Sequence, residues 1–263
     1  MAAVVDISLP TGWGELTQTQ LRFLLSVMAS VNHAASRGRY RSQDDFAAQT
    51  AAHVATICLF KWGGLTVICP CADGYLVSAG SEKVQLSTAT ITAAISHLSW
   101  IRKLPEVPVR LDRVDGADAI PADLSSGLSF DGWLACETFW QRYQAAPDDS
   151  LLHSMAAILY DKDDIHLDPA AALGIFYWWA AVKNMVSAMF PNFFRSVGAD
   201  SSPEVPTYDA MRRNIDSQIR ALTKGDVTKE KEILSLDAIR ALTELDAQAR
   251  EYDELHKKYP DAH

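Results

Sequence analysis

The sequence predicts a mainly α protein of α+β character: a helical bundle with a small antiparallel β-hairpin or meander in the N-terminal half and an αα-hairpin at the C-terminus. Three observations lead there. Apolar residues recur at spacings of three and four over most of the chain, as in Leu21, Leu24, Leu25, Met28 and Val31. Strand-forming runs are confined to LTVICP, GYLVSAG and EKVQLS, between Leu65 and Ser87. The pentapeptide IRALT occurs at 219–223 and again at 239–243, each time within an amphipathic pattern.

The first helix is announced by Thr17 and Gln20, a T-x-x-Q capping box, with Leu16 and Leu21 at the positions of a hydrophobic staple. The segment SRGRYR, with Arg37, Arg39 and Arg41, reads as a solvated loop, an anionic contact being the alternative. A second helix starts near Ser42, with Asp45 in its first turn, and runs to the Gly63-Gly64 break. The three strand runs follow, the first two joined by the turn-like Ala72-Asp73-Gly74. A helix is expected from about Thr88 to Lys103, stopped by Leu104-Pro105, and then EVPVRL as an extended segment. From Val114 to Ser129 the chain is rich in Asp, Gly and Ser and reads as a connection. Helical patterns then occupy roughly Ser129 to Ala145, Asp149 to Tyr160 and Pro169 to Phe194, and GADSSPEVP, Gly198 to Pro206, reads as a linker. The resulting division is an α+β domain over 1–125, a helical domain over 126–199 and a C-terminal helical hairpin over 200–263.

In that hairpin Thr207 caps a helix whose Met211, Ile215, Ile219 and Leu222 share a face, with Gly225 as its terminator. Thr228 is expected to cap a second helix that approaches about 30 residues, or roughly 45 Å, with Glu230 and Glu232 in its first turn, Lys257 and Lys258 in its last, and Pro260 beyond. Its outer side carries oppositely charged residues four apart: Arg240 and Glu244, Asp246 and Arg250, Asp253 and Lys257, Glu254 and Lys258. Such pairs contribute only a few tenths of a kcal/mol each and mark a solvated face. Stability is expected from Ile239, Leu242, Leu245, Ala249 and Tyr252 meeting another helix. The two IRALT copies read as two helices facing one seam, since a solenoid needs at least three units and no third copy is present.

Composition narrows the function classes. A formal net charge of −9 argues against a dedicated nucleic-acid binder, which needs clustered Lys and Arg. The most apolar run, Leu173 to Phe190, approaches the length of a membrane span, but Lys183 and Asn184 interrupt it. It reads as a buried helix of a soluble bundle with Lys183 at the rim, and no membrane association is expected. MAAVVDISLPTGW lacks the basic start and apolar run of a secretory signal, so a cytoplasmic setting with four reduced cysteines is expected. Cys69-Pro-Cys71 is the only close pair, expected to be buried or half-buried and structural.

Sites for chemistry are few. The cluster YDKDDIHLDP offers Asp161, Asp163, Asp164, His166 and Asp168 as hard-metal ligands or an acid–base pair. It fails as a calcium loop, because Ile165 and His166 take ligand positions and Ala172 stands where the bidentate Glu belongs. Asp168-Pro169 also reads as a helix cap with proline at the first helical position. A connecting loop is the simpler reading; Asp161, Asp163 and Asp168 remain the metal candidates, and no cofactor is expected. His53 reads as a core histidine, and His97 with Trp100 as a packed face. Trp133, Phe139, Trp140, Phe176, Tyr177, Trp178 and Trp179 form either core or a ligand pocket. No P-loop, G-x-S-x-G, G-x-G-x-x-G or H-E-x-x-H is present.

The opening LPTGWGELTQTQL and the C-terminal IRALTKGDVTKEKEILSLDAIRALTELDAQAREYDEL resemble prophage proteins from tail-morphogenesis regions, over about a third of the chain. The resemblance carries no catalytic signature. It implies a non-enzymatic phage protein that binds other phage or prophage proteins, as a tail-assembly chaperone similar to those that hold a tape-measure protein before tube polymerisation. The alternative is a virion adaptor or connector, which has the same acidic, helical profile and is found in the virion rather than the host cytoplasm; an oligomer is compatible with either. A metal-dependent enzyme using the Asp161–Asp168 cluster is the reading from a different class. Under the binding readings, the partner-facing residues are Arg240, Glu244, Arg250, Glu254 and Lys258 on the charged face of the last helix.

Overall fold

The structure is a computed structural model that describes residues 7–35, 43–194 and 207–258. The Arg37–Arg41 segment, the cap at Ser42, the Gly198–Pro206 connection and Pro260 lie outside them. The protein is mainly α, with a small three-stranded antiparallel sheet in its N-terminal half. It divides into two compact units: Met1–Leu111 with Asp168–Gly174, and Asp112–Leu167 with Ile175–His263.

In the first unit, α1 (Gln18–Ala35) packs on α2 (Gln43–Trp62), and the capping box forms as its residue types predict. Thr17 N donates to Gln20 Oε1 at 3.0 Å and Gln20 N to Thr17 Oγ1 at 3.2 Å. Leu21, Leu24 and Leu25 of α1 and Val54, Ala55, Cys58 and Leu59 of α2 are buried apolar residues of these two helices. Strands β1 (Leu65–Cys71), β2 (Gly74–Ala79) and β3 (Glu82–Leu86) form the expected meander, ordered β1-β2-β3. A bulge between Val67 and Cys69 leaves Ile68 unpaired, and Val67, Ile68 and Cys69 are exposed on an edge strand. Cys69 is therefore not the buried structural thiol its apolar surroundings suggest, whereas Cys71 is half-buried.

The helix expected from Thr88 to Lys103 stops early. After α3 (Thr88–Ser96) the chain tightens, with His97 N and Leu98 N donating to Ala94 O and Ile95 O, and continues as a 3-10 turn over Ser99–Arg102. Residues three apart eclipse in that geometry, which turns both Leu98 and Ile101 inward. Trp100 is half-buried against Trp13 and Trp62, while His97 and His53 are exposed, so neither histidine is a packed one.

The second unit opens with a two-residue ladder, β4 (Arg113–Val114) and β5 (Ala117–Asp118), turning through Asp115 and Gly116 at φ of 48° and 79°. Asp-Gly is the residue pair that favours such a turn. Then come α4 (Phe130–Ala145), α5 (Asp149–Leu159) and α6 (Pro169–Met189), the first few residues of α6 belonging to the first unit. Gly132 lets α4 and α5 approach closely: a Cβ there would lie 2.9 Å from Leu128 Cδ1 and 3.2 Å from Ile158 Cγ2. In α6, Trp178 and Trp179 are fully buried; Trp178 Nε1 donates to Ala122 O at 2.7 Å, and Trp179 packs on Trp133 of α4 at 5.2 Å between ring centroids. The helix ends at Met189, short of the expected Phe194, because Pro191 has no N–H to continue it. Among the described residues no helix is long and apolar enough to cross a membrane.

At the C-terminus α7 (Tyr208–Thr223) is capped by Thr207 as expected. Its left-handed terminator is Lys224 (φ 54°), one residue before Gly225 (φ 81°), whose N–H donates to Arg220 O at 3.1 Å. The single helix of about 30 residues does not form. A 3-10 turn (Val227–Lys229) and α8 (Glu230–Leu234) precede a break, and α9 (Ala238–Lys258) is a helix of 21 residues. The break is made by the entry to α4: Phe130 N donates to Leu236 O at 2.7 Å and Ala238 N to Leu128 O at 2.9 Å. Asp237 then caps α9, its Oδ1 accepting from Ile239 N and Arg240 N, and Asp226 rather than Thr228 caps the preceding turn. The IRALT copies thus sit at the end of α7 and the start of α9, which pack together, with Leu222 and Leu242 both buried.

Candidate functional site

Two features of the second unit stand out from its packing. The first is the outer half of α9. Ala238, Ala241, Leu242 and Leu245 are buried, and α9 packs there on α4 and α7. Two turns further on the apolar stripe continues without cover: Tyr252 and Leu255 are each 59% exposed. Tyr252 is therefore not a seam residue, and its ring lies against His256 at 4.0 Å. Arg240, Glu244, Arg250, Glu254 and Lys258 are all exposed. Glu244 accepts from Gln248 Nε2 at 3.0 Å, which is its helical neighbour in place of the expected Arg240.

Asp246 does not belong to that solvated face. Its carboxylate accepts from Asn192 N at 2.8 Å, Asn192 Nδ2 at 2.9 Å and Phe193 N at 3.0 Å, tying α9 to the turn that follows α6. Burial pushes its pKa up, but the bonds from Asn192 and Phe193 outweigh it and, with Arg250 nearby, hold the carboxyl below the ordinary carboxylate range.

The second feature is a cleft of about 260 Å³ lined by α4, α7 and the turn after α6. At its base Lys183 Nζ lies 2.5 Å from Glu137 Oε2, while Trp179 Nε1 donates to Glu137 Oε1 at 3.1 Å. The Lys183 and Glu137 side chains are 25% and 14% exposed, so the pair is mostly out of water. The ammonium also lies 5.5 Å from the Trp133 ring centre and 5.1 Å from that of Phe194, a cation–π arrangement on two faces. The Lys183 that interrupts the apolar run is thus at the rim of a helical core and carries a partner 46 residues away. Of the aromatic group, Trp178 and Trp179 are core; Trp133 is buried and also borders the cleft.

The Asp161–Asp168 cluster does not converge. Asp168 belongs to the first unit, where it caps α6 by accepting from Ala171 N at 2.8 Å and pairs with Arg22. Asp161, Asp163 and Asp164 are exposed in the second unit. Among the described residues no group of three or more His, Cys, Asp or Glu side chains is placed to hold a metal ion. The acid that organises this loop is Asp115, absent from the sequence expectations: its Oδ2 takes Lys162 Nζ at 2.6 Å and His166 N at 2.9 Å. The Lys162 bond first, and the His166 N–H second, hold the Asp115 carboxyl below its ordinary range.

No protein-family model matches this chain, and neither a curated protein nor a solved structure is similar to it.

Proposed function

We propose that the protein is a non-enzymatic binding protein that holds another protein on the outer half of α9. The observation that carries this is the uncovered continuation of the apolar stripe. Tyr252 and Leu255 stand three apart beyond the last buried residue, Leu245, with Arg250, Glu254 and Lys258 beside them. A helix segment of a partner with a short apolar stripe and mixed charges is the occupant that fits, because helix-in-groove and helix-on-helix recognition reads residues at this spacing. A scattered exposed Leu would carry no such meaning. Here two large apolar side chains share one face of a helix whose inner half is already used. The resemblance of the two terminal segments to tail-morphogenesis proteins supports a phage tail protein as that partner and tail-assembly chaperoning as the task.

A chaperone releases its partner, so it is expected in complex with a tail protein in the lysate of producing cells and absent from purified particles. An adaptor or connector remains in the particles at a fixed ratio to other structural proteins. Quantitative mass spectrometry of both fractions separates the two, and stoichiometric presence in particles overturns the chaperone reading. The binding surface is tested by ending the chain at Ala249, beyond the buried face of α9. The shortened protein is expected to keep its helical circular dichroism and lose the partner. Full recovery of the partner with a folded truncation overturns the assignment of the surface.

A further inference from the structure

We propose that the cleft over Lys183 is a binding site for a small planar aromatic carboxylate that also carries one N–H or O–H donor. The argument is an account of donors and acceptors. Both Glu137 oxygens are engaged, one by Trp179 Nε1 and one by Lys183. The Lys183 ammonium has three donors and spends one on Glu137, so it retains capacity for a second acceptor. Across the cleft Asn214 is exposed, and its Oδ1 accepts from Gln218 Nε2 at 3.4 Å. With its Oδ1 as the acceptor there, Asn214 keeps its NH₂ as a donor. Donors from α6 and α7 therefore face the same small space, which suits a carboxylate.

The remaining chemistry selects the rest of the ligand. Trp133, Phe193 and Phe194 border the cleft and offer ring surface to a flat apolar body. Gln218, also in the wall, has a buried Oε1 with no hydrogen-bond partner, an uncommon and costly condition that a donor on the ligand relieves. At about 260 Å³ the space lies at the small end of ligand pockets, which suits a single-ring ligand. Glu137 opposes a second carboxylate, so the ring and the anion are needed together. An ammonium in place of the carboxylate offers no acceptor to Lys183 or to the Asn214 NH₂.

The test compares 4-hydroxybenzoate, 4-hydroxybenzamide and tyramine, by saturation-transfer NMR and by quenching of tryptophan fluorescence. The expected order of affinity is carboxylate, then amide, then amine. Replacing Lys183→Met alone strands Glu137 in the core and can unfold the protein, so the Glu137→Gln/Lys183→Met double variant removes both charges together. With its melting temperature retained, this variant is expected to bind 4-hydroxybenzoate at least about tenfold more weakly, the loss of one charge-assisted bond, and no better than the amide. Asn214→Leu, on the exposed side of α7, is expected to weaken the carboxylate with no effect on folding. Equal affinity for the three probes, preference for the amine, or an unchanged preference in the folded double variant or in Asn214→Leu overturns the site. None of these outcomes bears on the α9 surface, which the Ala249 truncation tests separately.

Discussion

Leu242→Ala and Leu255→Ala make the same chemical change on one helix, and the structure expects opposite consequences. Leu242 is 0% exposed where α9 meets α4 and α7, with the small residues Ala238 and Ala241 beside it. Removing its terminal isopropyl group forfeits the transfer free energy of the lost carbons and leaves a cavity that rigid helices fill poorly, at about 2–5 kcal/mol. A value near 3 kcal/mol is expected. At a urea slope of about 2 kcal/mol/M that moves the unfolding midpoint down by roughly 1.5 M, and the melting temperature falls by about 6–12 °C. Leu255 is 59% exposed, so its truncation should stay within about 0.5 kcal/mol of the parent. Circular dichroism and tryptophan fluorescence, followed through the same urea titration, read both. In the partner-capture assay the order reverses, with Leu255→Ala weakening the complex and leaving the fold intact. Equal shifts for the two variants, or a Leu242→Ala cost below about 1 kcal/mol, would refute the placement of the seam and with it the exposure of Tyr252 and Leu255.

Asp246→Ala is expected to cost about 2 kcal/mol, because Asn192 and Phe193 lose a charged acceptor. Since the Asp246 carboxyl is held below its ordinary 3.8, its contribution is complete above that value and disappears as pH falls through the lower folded one. The parent should therefore lose stability below about pH 4 more steeply than Asp246→Asn, and parallel acid-unfolding curves would contradict this. Lys224→Gly should raise stability by roughly 0.5–1 kcal/mol in urea, because Lys224 holds φ of 54° at the end of α7. A decrease would show that the side chain makes a compensating contact. Millimolar Ca²⁺, Mg²⁺ or Mn²⁺ should shift the melting temperature by less than about 1 °C in the parent and in an Asp161→Asn/Asp163→Asn/Asp164→Asn variant alike. A rise confined to the parent would restore a metal site in that loop.

Much of the fold is legible along the chain because the signals are local. Thr17 with Gln20, the strand formers from Leu65 to Leu86, and Thr207 before an apolar stripe each need only near neighbours, and each forms as its residue types imply. The break before α9 is different. The segment from Thr228 to Lys258 has helix-compatible residues throughout, and Asp237 looks like one more surface carboxylate until Leu128 and Phe130 pair with Leu236 and Ala238. Two backbone hydrogen bonds from a segment more than a hundred residues earlier outweigh the modest propensity of Ser235, Leu236 and Asp237 for helix. The cleft was half visible: Lys183 is conspicuous within an apolar run, and Trp133 belongs to an aromatic cluster, but Glu137 is unremarkable in sequence.

Periodicity, caps and breakers are enough to make this chain a helical protein with one small meander, because they depend on contacts within a turn or a hairpin. Burial along a stripe and the partner of each charge depend on what lies across the interior. Leu242 and Leu255 are indistinguishable as members of an apolar repeat, as are Asp246 and Glu244 as acids on one helix. Packing against α4 and α7 buries Leu242 and ends before Leu255, and the turn after α6 takes Asp246 as its hydrogen-bond acceptor. The same holds for Lys183, whose charge is set by residue type but whose place over Glu137, Trp133 and Phe194 exists only once α4, α6 and the following turn have come together.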